Sequence, residues 1–139
     1  MKKTVLPLML LLLATVVLCW SAATWKSDKA FVYPDLSGFS SSTAMKRACY
    51  VSAEEAESMT TRALVETVVT YPYLIDMYAF DHPDLWFQSA QSLPMIRELC
   101  ARPDGLAVLR AEAAKAGDDL LLRMGYTGLI GCMERAAQP

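Results

Sequence analysis

Apolar positions recur at helical spacing from Met59 onward, and the run Met59–Phe80, MTTRALVETVVTYPYLIDMYAF, is the segment the rest of the chain covers or anchors. Leu64, Val68 and Tyr71 fall on one stripe, which Val65 and Val69 widen. Arg62, Glu66 and Thr70 recur four apart on the opposite face. Thr60 and Thr61 place hydroxyl oxygens just ahead of the stripe, where an N-cap belongs. The many Val, Thr and Tyr residues between Val65 and Tyr73 favour strand. Strict alternation is absent, so the spacing predicts a helix over 61–70. Pro72 disfavours helical geometry at Tyr71 and removes a donor, yet it suits the first turn of a new helix. A second helix is therefore expected over Pro72–Phe80. Leu74 and Tyr78, and Ile75 and Ala79, are four apart there, and Asp76 is its one charge, so the helix is expected to be buried on most sides.

The flanks repeat this punctuation. Ser52-Ala53-Glu54-Glu55 fits a capping box, and Glu54, Glu55 and Glu57 suit the positive end of a helix dipole. Asp81-His82-Pro83-Asp84 marks a break and a new start, with the cap at Asp81 or His82. Trp86, Ala90, Leu93 and Cys100 share a stripe, with Leu85, Ile96 and Leu99 beside it. Pro94 should kink that helix or split it. Arg102-Pro103-Asp104 opens the next helix, where Leu106, Leu109 and Ala113 face inward. Gly117 is its stop and Asp118-Asp119 the following start. The last helix turns Leu122, Tyr126, Leu129 and Met133 to one side and sets Gly125, Gly128 and Gly131 along another. Each helical glycine costs about 1 kcal/mol against alanine, so three imply close approach of a neighbouring backbone. A membrane-embedded glycine seam is the alternative, against which Arg123 and Glu134 interrupt the apolar run.

Upstream, Lys2 and Lys3 precede an uncharged Leu/Val-rich run from Thr4 to Thr24, the pattern of an export signal. Ser21-Ala22-Ala23 supplies small residues for cleavage after Ala23. An uncut anchor is one alternative, because the run approaches the ~20 residues that span a bilayer. Lipidation at Cys19 is another, although Leu18 departs from the usual small residue. Trp25 to Thr43 has no helical period. Tyr33-Pro34-Asp35 reads as a turn, and Ser37-Gly38 with Ser40–Thr43 as a connector. Trp25, Phe31, Val32, Tyr33, Leu36 and Phe39 make this arm too apolar for a free tail, so it should lie in a groove of the helical body or dock on a partner. The organisation expected is 1–23 signal peptide or anchor, 24–51 extended arm and linker, and 52–139 helical domain. The fold class is all-α, about five or six short helices with Pro-marked joints.

The pattern M-T-T-x-x-L-V-x-T-V-V-x-Y-P-Y-L-I-D-M-Y-A-F, with the Arg102–Asp104 turn, resembles a segment of uncharacterised small helical proteins exported by bacteria, over about Met59 to Leu109. The matching positions are packing and cap residues. The resemblance therefore implies a helical fold and export, and it carries no activity.

Composition changes the picture mainly by exclusion. The chain of 139 residues, 54% hydrophobic, forms one domain at most beyond its N-terminus. Its net charge of -2 becomes more negative without Lys2 and Lys3. Nucleic-acid binding wants a basic stripe, and Lys46-Arg47 is an isolated pair that reads as a solvated face. Calcium wants about six to eight oxygens on a looped backbone, so the Glu54–Glu57 cluster reads as a helix start. There is no histidine pair for zinc, no Cys-x-x-Cys and no phosphate-cradling glycine loop. No cofactor or metal is implied. Beyond the expected cleavage site the chain keeps Cys49, Cys100 and Cys132, an odd number for an oxidising compartment: one bridge with one thiol left over, or none. Cys49–Cys100 would tie the arm to the body, whereas Cys100 and Cys132 also read as core residues.

Two functional expectations follow. The first is a non-enzymatic, exported or envelope-associated module that binds protein or peptide through the arm or a helix groove. It touches the membrane only through the N-terminal segment. The second is a small hydrolase using Asp76, Asp81, Asp84 and His82, the lone histidine, in a cleft beside Pro72. His82 has no nucleophile in a recognisable elbow to work with. Intact-mass measurement of the exported protein should give a chain beginning at Thr24; a membrane-bound full-length chain would refute cleavage.

Overall fold

Three of the described α-helices begin where a side-chain oxygen, of Ser52, Thr60 or Asp119, caps the first turn. The computed structural model describes residues 25–79 and 83–138. Within them lie α1 Ser42–Ala48, α2 Ala53–Ser58, α3 Thr61–Val69, α4 Pro83–Gln91, α5 Pro94–Ala101, α6 Gly105–Ala113 and α7 Leu120–Ala136, with 3-10 turns at Leu36–Gly38 and Ile75–Ala79. The fold is all-α, and among the described residues the β pairing is one isolated parallel bridge, Ser27 with Met59. The expected signal or anchor helix over 1–23 and the Asp81/His82 cap lie outside the described residues.

The capping box forms in full: Ser52 Oγ accepts from the Glu55 amide at 3.2 Å, and the Ser52 amide donates to Glu55 Oε2 at 2.8 Å. Thr60 caps α3 through the Ala63 amide, and Asp119 caps α7 through the Leu122 amide. Gly117, at φ 61°, ends the segment after α6, as its lack of a Cβ allows.

Helix α3 is the centre. Leu64, Val65, Thr67 and Val68 are fully buried, and α3 packs on α5, α6 and α7. Arg62, Glu66 and Thr70 face solvent, as their spacing requires. Met95, Ile96, Leu99, Leu109 and Leu129 close the core around it, each side chain worth about 1.5–3 kcal/mol of burial. The arm runs along α3 with Phe31 and Tyr33 partly buried, while Trp25 and Val32 stay exposed rather than seated in a groove as expected. The Ser27 amide donates to Ser58 O at 2.7 Å and Ser27 O accepts from the Thr60 amide at 2.8 Å. Further on, the Phe31 amide donates to Thr67 Oγ1 at 2.9 Å while Tyr33 Oη donates to Thr67 O at 2.8 Å. Thr67 Oγ1 itself donates to Ala63 O at 2.8 Å, so this buried hydroxyl is satisfied in both directions.

Four expectations need correction. The Pro72–Phe80 helix is replaced by tight turns: the Leu74 amide donates to Tyr71 O and the Met77 amide to Leu74 O, leading into the 3-10 turn Ile75–Ala79. Three residues per turn stack Leu74 and Met77 inward together and leave Ile75 and Asp76 exposed. Second, part of the 24–51 linker is helical, because Ser41 O accepts the first α1 bond and Lys46 and Arg47 suit its last turn. Third, Leu85 is exposed rather than part of the apolar stripe. Pro94 does split its helix, standing at the first position of α5.

The fourth correction concerns glycine. A Cβ at Gly131 would meet nothing, and one at Gly125 would meet the Leu74 side chain at 3.2 Å. The close backbone approach is at Gly105, where a Cβ would stand 2.4 Å from Leu99 O and 2.9 Å from Met133 Cε. Beside it, Arg102 is buried. Its Nη1 donates to Met59 O at 2.8 Å, its Nη2 to Ala56 O at 2.9 Å, and its Nε to Glu98 Oε1 at 2.9 Å. The guanidinium thereby satisfies carbonyls that the end of α2 leaves open.

Gly105→Ala should destabilise the fold by about 2 kcal/mol or more, whereas Gly131→Ala should stabilise it by about 0.5–1 kcal/mol; urea midpoints of the two variants check the opposite signs. Arg102→Ala should cost about 3 kcal/mol by leaving Glu98 and the α2 carbonyls without their donor, measured the same way.

Candidate functional site

Pro72 sets the local geometry of a concavity at the end of α3. With its donor missing, the chain turns sharply after α3 and brings Tyr71 and Tyr73 out on either side of the proline. A cavity of about 310 Å³ opens there. Tyr71, Tyr73, Met77 and Leu93 give it apolar walls, and Lys46 of α1, Asp76, Ser89 of α4 and Ser92 give it polar ones.

The tyrosines are held in a ladder. Ring centroids lie 5.0 Å apart for Phe31–Tyr33, 5.8 Å for Tyr33–Tyr71 and 5.7 Å for Tyr71–Tyr73, all tilted or edge-on. Tyr33 is the fixed rung, through its bond to Thr67 O. Burial raises the pKa of both Tyr33 and Tyr71, with neighbouring Tyr and Cys49 groups adding to it, so both phenols stay protonated donors. The buried Tyr73 hydroxyl has no hydrogen-bond partner among the described residues. Such a group carries a desolvation cost that a bonding partner would relieve. The site thus offers aromatic area, hydroxyl donors, one ammonium and one carboxylate, a set suited to an uncharged or weakly charged polymer segment.

Of the hydrolase candidates, Asp76 stands exposed on this cavity. It does not face the core. Asp84 forms an ion pair with Arg135 of α7, whose guanidinium also lies 5.5 Å from the Phe87 ring centroid. Asp81 and His82 lie outside the described residues. The two described carboxylates are thus engaged in different settings, because the 3-10 turn exposes one and α4 hands the other to α7.

The cysteines are arranged differently from the Cys49–Cys100 bridge. Cys49 is buried beside the tyrosine ladder, and burial pushes its thiol up. Cys100 turns instead toward Cys132, because α5 and α7 both present their sulfurs to the Gln91 amide at the end of α4.

A second surface lies on α7. Leu120, Leu121 and Met124 are exposed, and a shallow hollow of about 430 Å³ runs past Leu120, Arg123, Met124, Thr127 and Gly128. Sequence reasoning names the inward stripe of this helix and passes over the second one, although Leu120 and Met124 at a spacing of four are its signal. It likewise passes over Ser89, Ser92 and Tyr73, for which the aromatic-Pro-aromatic triplet Tyr71-Pro72-Tyr73 is the legible hint.

Among the described residues, no group of three or more His, Cys, Asp or Glu side chains gathers to hold a metal, and no helix is long and apolar enough to cross a membrane. No protein-family model, curated protein or solved structure matches the chain.

Proposed function

We propose that this chain is an exported, non-enzymatic interaction module that takes an extended peptide segment of a protein partner into the tyrosine-walled cleft at Pro72. The observation that carries the reading is the cleft itself: edge-on Tyr71 and Tyr73 rings with Lys46, Asp76, Ser89 and Ser92 around about 310 Å³. Rigid aromatic rings give contact area at low conformational cost. Hydroxyl groups and the Tyr73 phenol would read the backbone of the segment, as aromatic-lined grooves do for extended peptides. The arm lies along α3 through the Phe31 amide and the Tyr33 hydroxyl, and Tyr33 in turn supports the Tyr71 ring at the cleft wall. Export rests on the Lys2-Lys3 and Leu/Val-rich pattern of the N-terminus.

The hydrolase alternative uses the same cleft. It is favoured only by Asp76 standing on the cavity, and it would draw on Asp81 and His82 from the following segment.

Ser92 is exposed, so Ser92→Trp can fill the cleft without disturbing the core. In crosslinked pull-down from native envelope, Ser92→Trp should lower capture of specific partners by about tenfold or more with helical circular dichroism unchanged. Undiminished capture refutes the binding reading. Asp76→Asn should leave capture within a few-fold; if it instead abolishes turnover found in an ester and peptide screen, the hydrolase reading replaces it.

A further inference from the structure

Cys100 and Cys132 are far apart in the sequence and carry no Cys-x-x-Cys signature. The fold nevertheless places them together, because Cys100 sits near the end of α5 and Cys132 in the middle of α7. The Gln91 side-chain amide, at the last position of α4, lies 3.4 Å from Cys100 Sγ and 3.7 Å from Cys132 Sγ. One amide nitrogen touching both sulfurs holds them side by side. Cys100 is half-buried and reachable from solvent, whereas Cys132 is fully buried. The pair is therefore asymmetric: one sulfur can be attacked or attack from outside, and the other can be reached only through it.

We propose that Cys100 and Cys132 form a thiol–disulfide exchange site, with Cys100 as the attacking sulfur, Cys132 as the resolving sulfur, and a small-molecule disulfide as the oxidising co-substrate.

The protonation of the pair supports these roles. The neighbouring Cys132 and the Gln91 amide favour the Cys100 thiolate and outweigh burial, bringing its pKa down to about 7. Cys132, beside Cys100 and fully buried, moves strongly upward. At neutral pH the accessible sulfur thus carries much of the thiolate and the hidden one keeps the proton. Arg135 of α7, itself paired with Asp84 of α4, acts on Cys132 and offsets part of its upward shift.

The chemistry balances in two displacements. The Cys100 thiolate attacks one sulfur of the disulfide, forming a mixed disulfide and expelling one thiolate. Cys132 then attacks Cys100 Sγ, the Cys100–Cys132 bond forms, and the second thiolate leaves with the proton that Cys132 gives up. The protein dithiol loses two electrons and two protons, and the co-substrate becomes two thiols. The closed bond would join α5 to α7 and, in a chain cleaved after Ala23, leave Cys49 as the remaining thiol, which reconciles the odd cysteine count of that chain with an oxidising compartment.

The test uses the full chain, reduced and then exposed to glutathione disulfide at pH 7, followed by non-reducing peptide mapping in which the Cys19 peptide is read separately and does not bear on the assignment. The expected product is a Cys100–Cys132 linked peptide with Cys49 still free. Cys132→Ser should stop at a glutathione adduct on Cys100, and Cys100→Ser should give neither adduct nor link. In a pH series of iodoacetamide labelling, the Cys100 midpoint should lie near 7, and Gln91→Leu should shift it upward, a readout that a purely packing role for Gln91 would leave unmoved. A link or adduct formed first at Cys49, or no link in the folded wild-type chain, overturns the assignment.

Discussion

A buried guanidinium holds the two chain reversals of this fold in register. Arg102 follows α5, yet its donors reach back to Ala56 O and Met59 O at the end of α2, and to Glu98 on its own helix. Removing such a charge from water is costly, and only full use of its fork of donors makes the site tenable. Thr61 Oγ1 donates to Asp104 Oδ1 at 3.0 Å alongside. The α2–α3 joint and the α5–α6 joint are thereby one polar knot beneath an apolar core. Gly105 completes it, since only a residue without a Cβ lets α6 start against Leu99 O.

The rest of the molecule is positioned from that knot through α3. Thr67 on α3 binds the arm twice, through the Phe31 amide and the Tyr33 hydroxyl. Tyr33 then sets Tyr71, and Tyr71 sets Tyr73. The cleft wall is thus the far end of a chain of contacts that begins in the core. The end of α4 serves two places at once, because Ser89 lines the cleft while Gln91 touches the paired sulfurs. Asp76 stands on the cleft, whereas Asp84 is held by Arg135.

Local signals carried much of the architecture. The Ser52–Glu55 box, the Thr60 and Asp119 caps, the break at Pro94 and the stop at Gly117 are all decided within a few residues, so they are legible without a fold. The 61–70 helix was legible too, because its polar face at Arg62, Glu66 and Thr70 overrode the strand propensity of its valines and threonines. The 72–80 segment misled for a physical reason: Leu74 and Tyr78 match a four-residue spacing, but Leu74 and Met77 match a three-residue one, and burial of the latter pair decided between them.

What the sequence determined by itself, then, was the helical class, the joints and most of the inward-facing stripe, because hydrogen bonding and periodicity act over a few residues. The tertiary structure alone decided which distant groups meet: Arg102 with the end of α2, Gly105 with Leu99, Cys100 with Cys132 rather than Cys49, and the tyrosine ladder with the arm. These pairings depend on how helices cross, and no residue spacing within a single helix encodes that geometry.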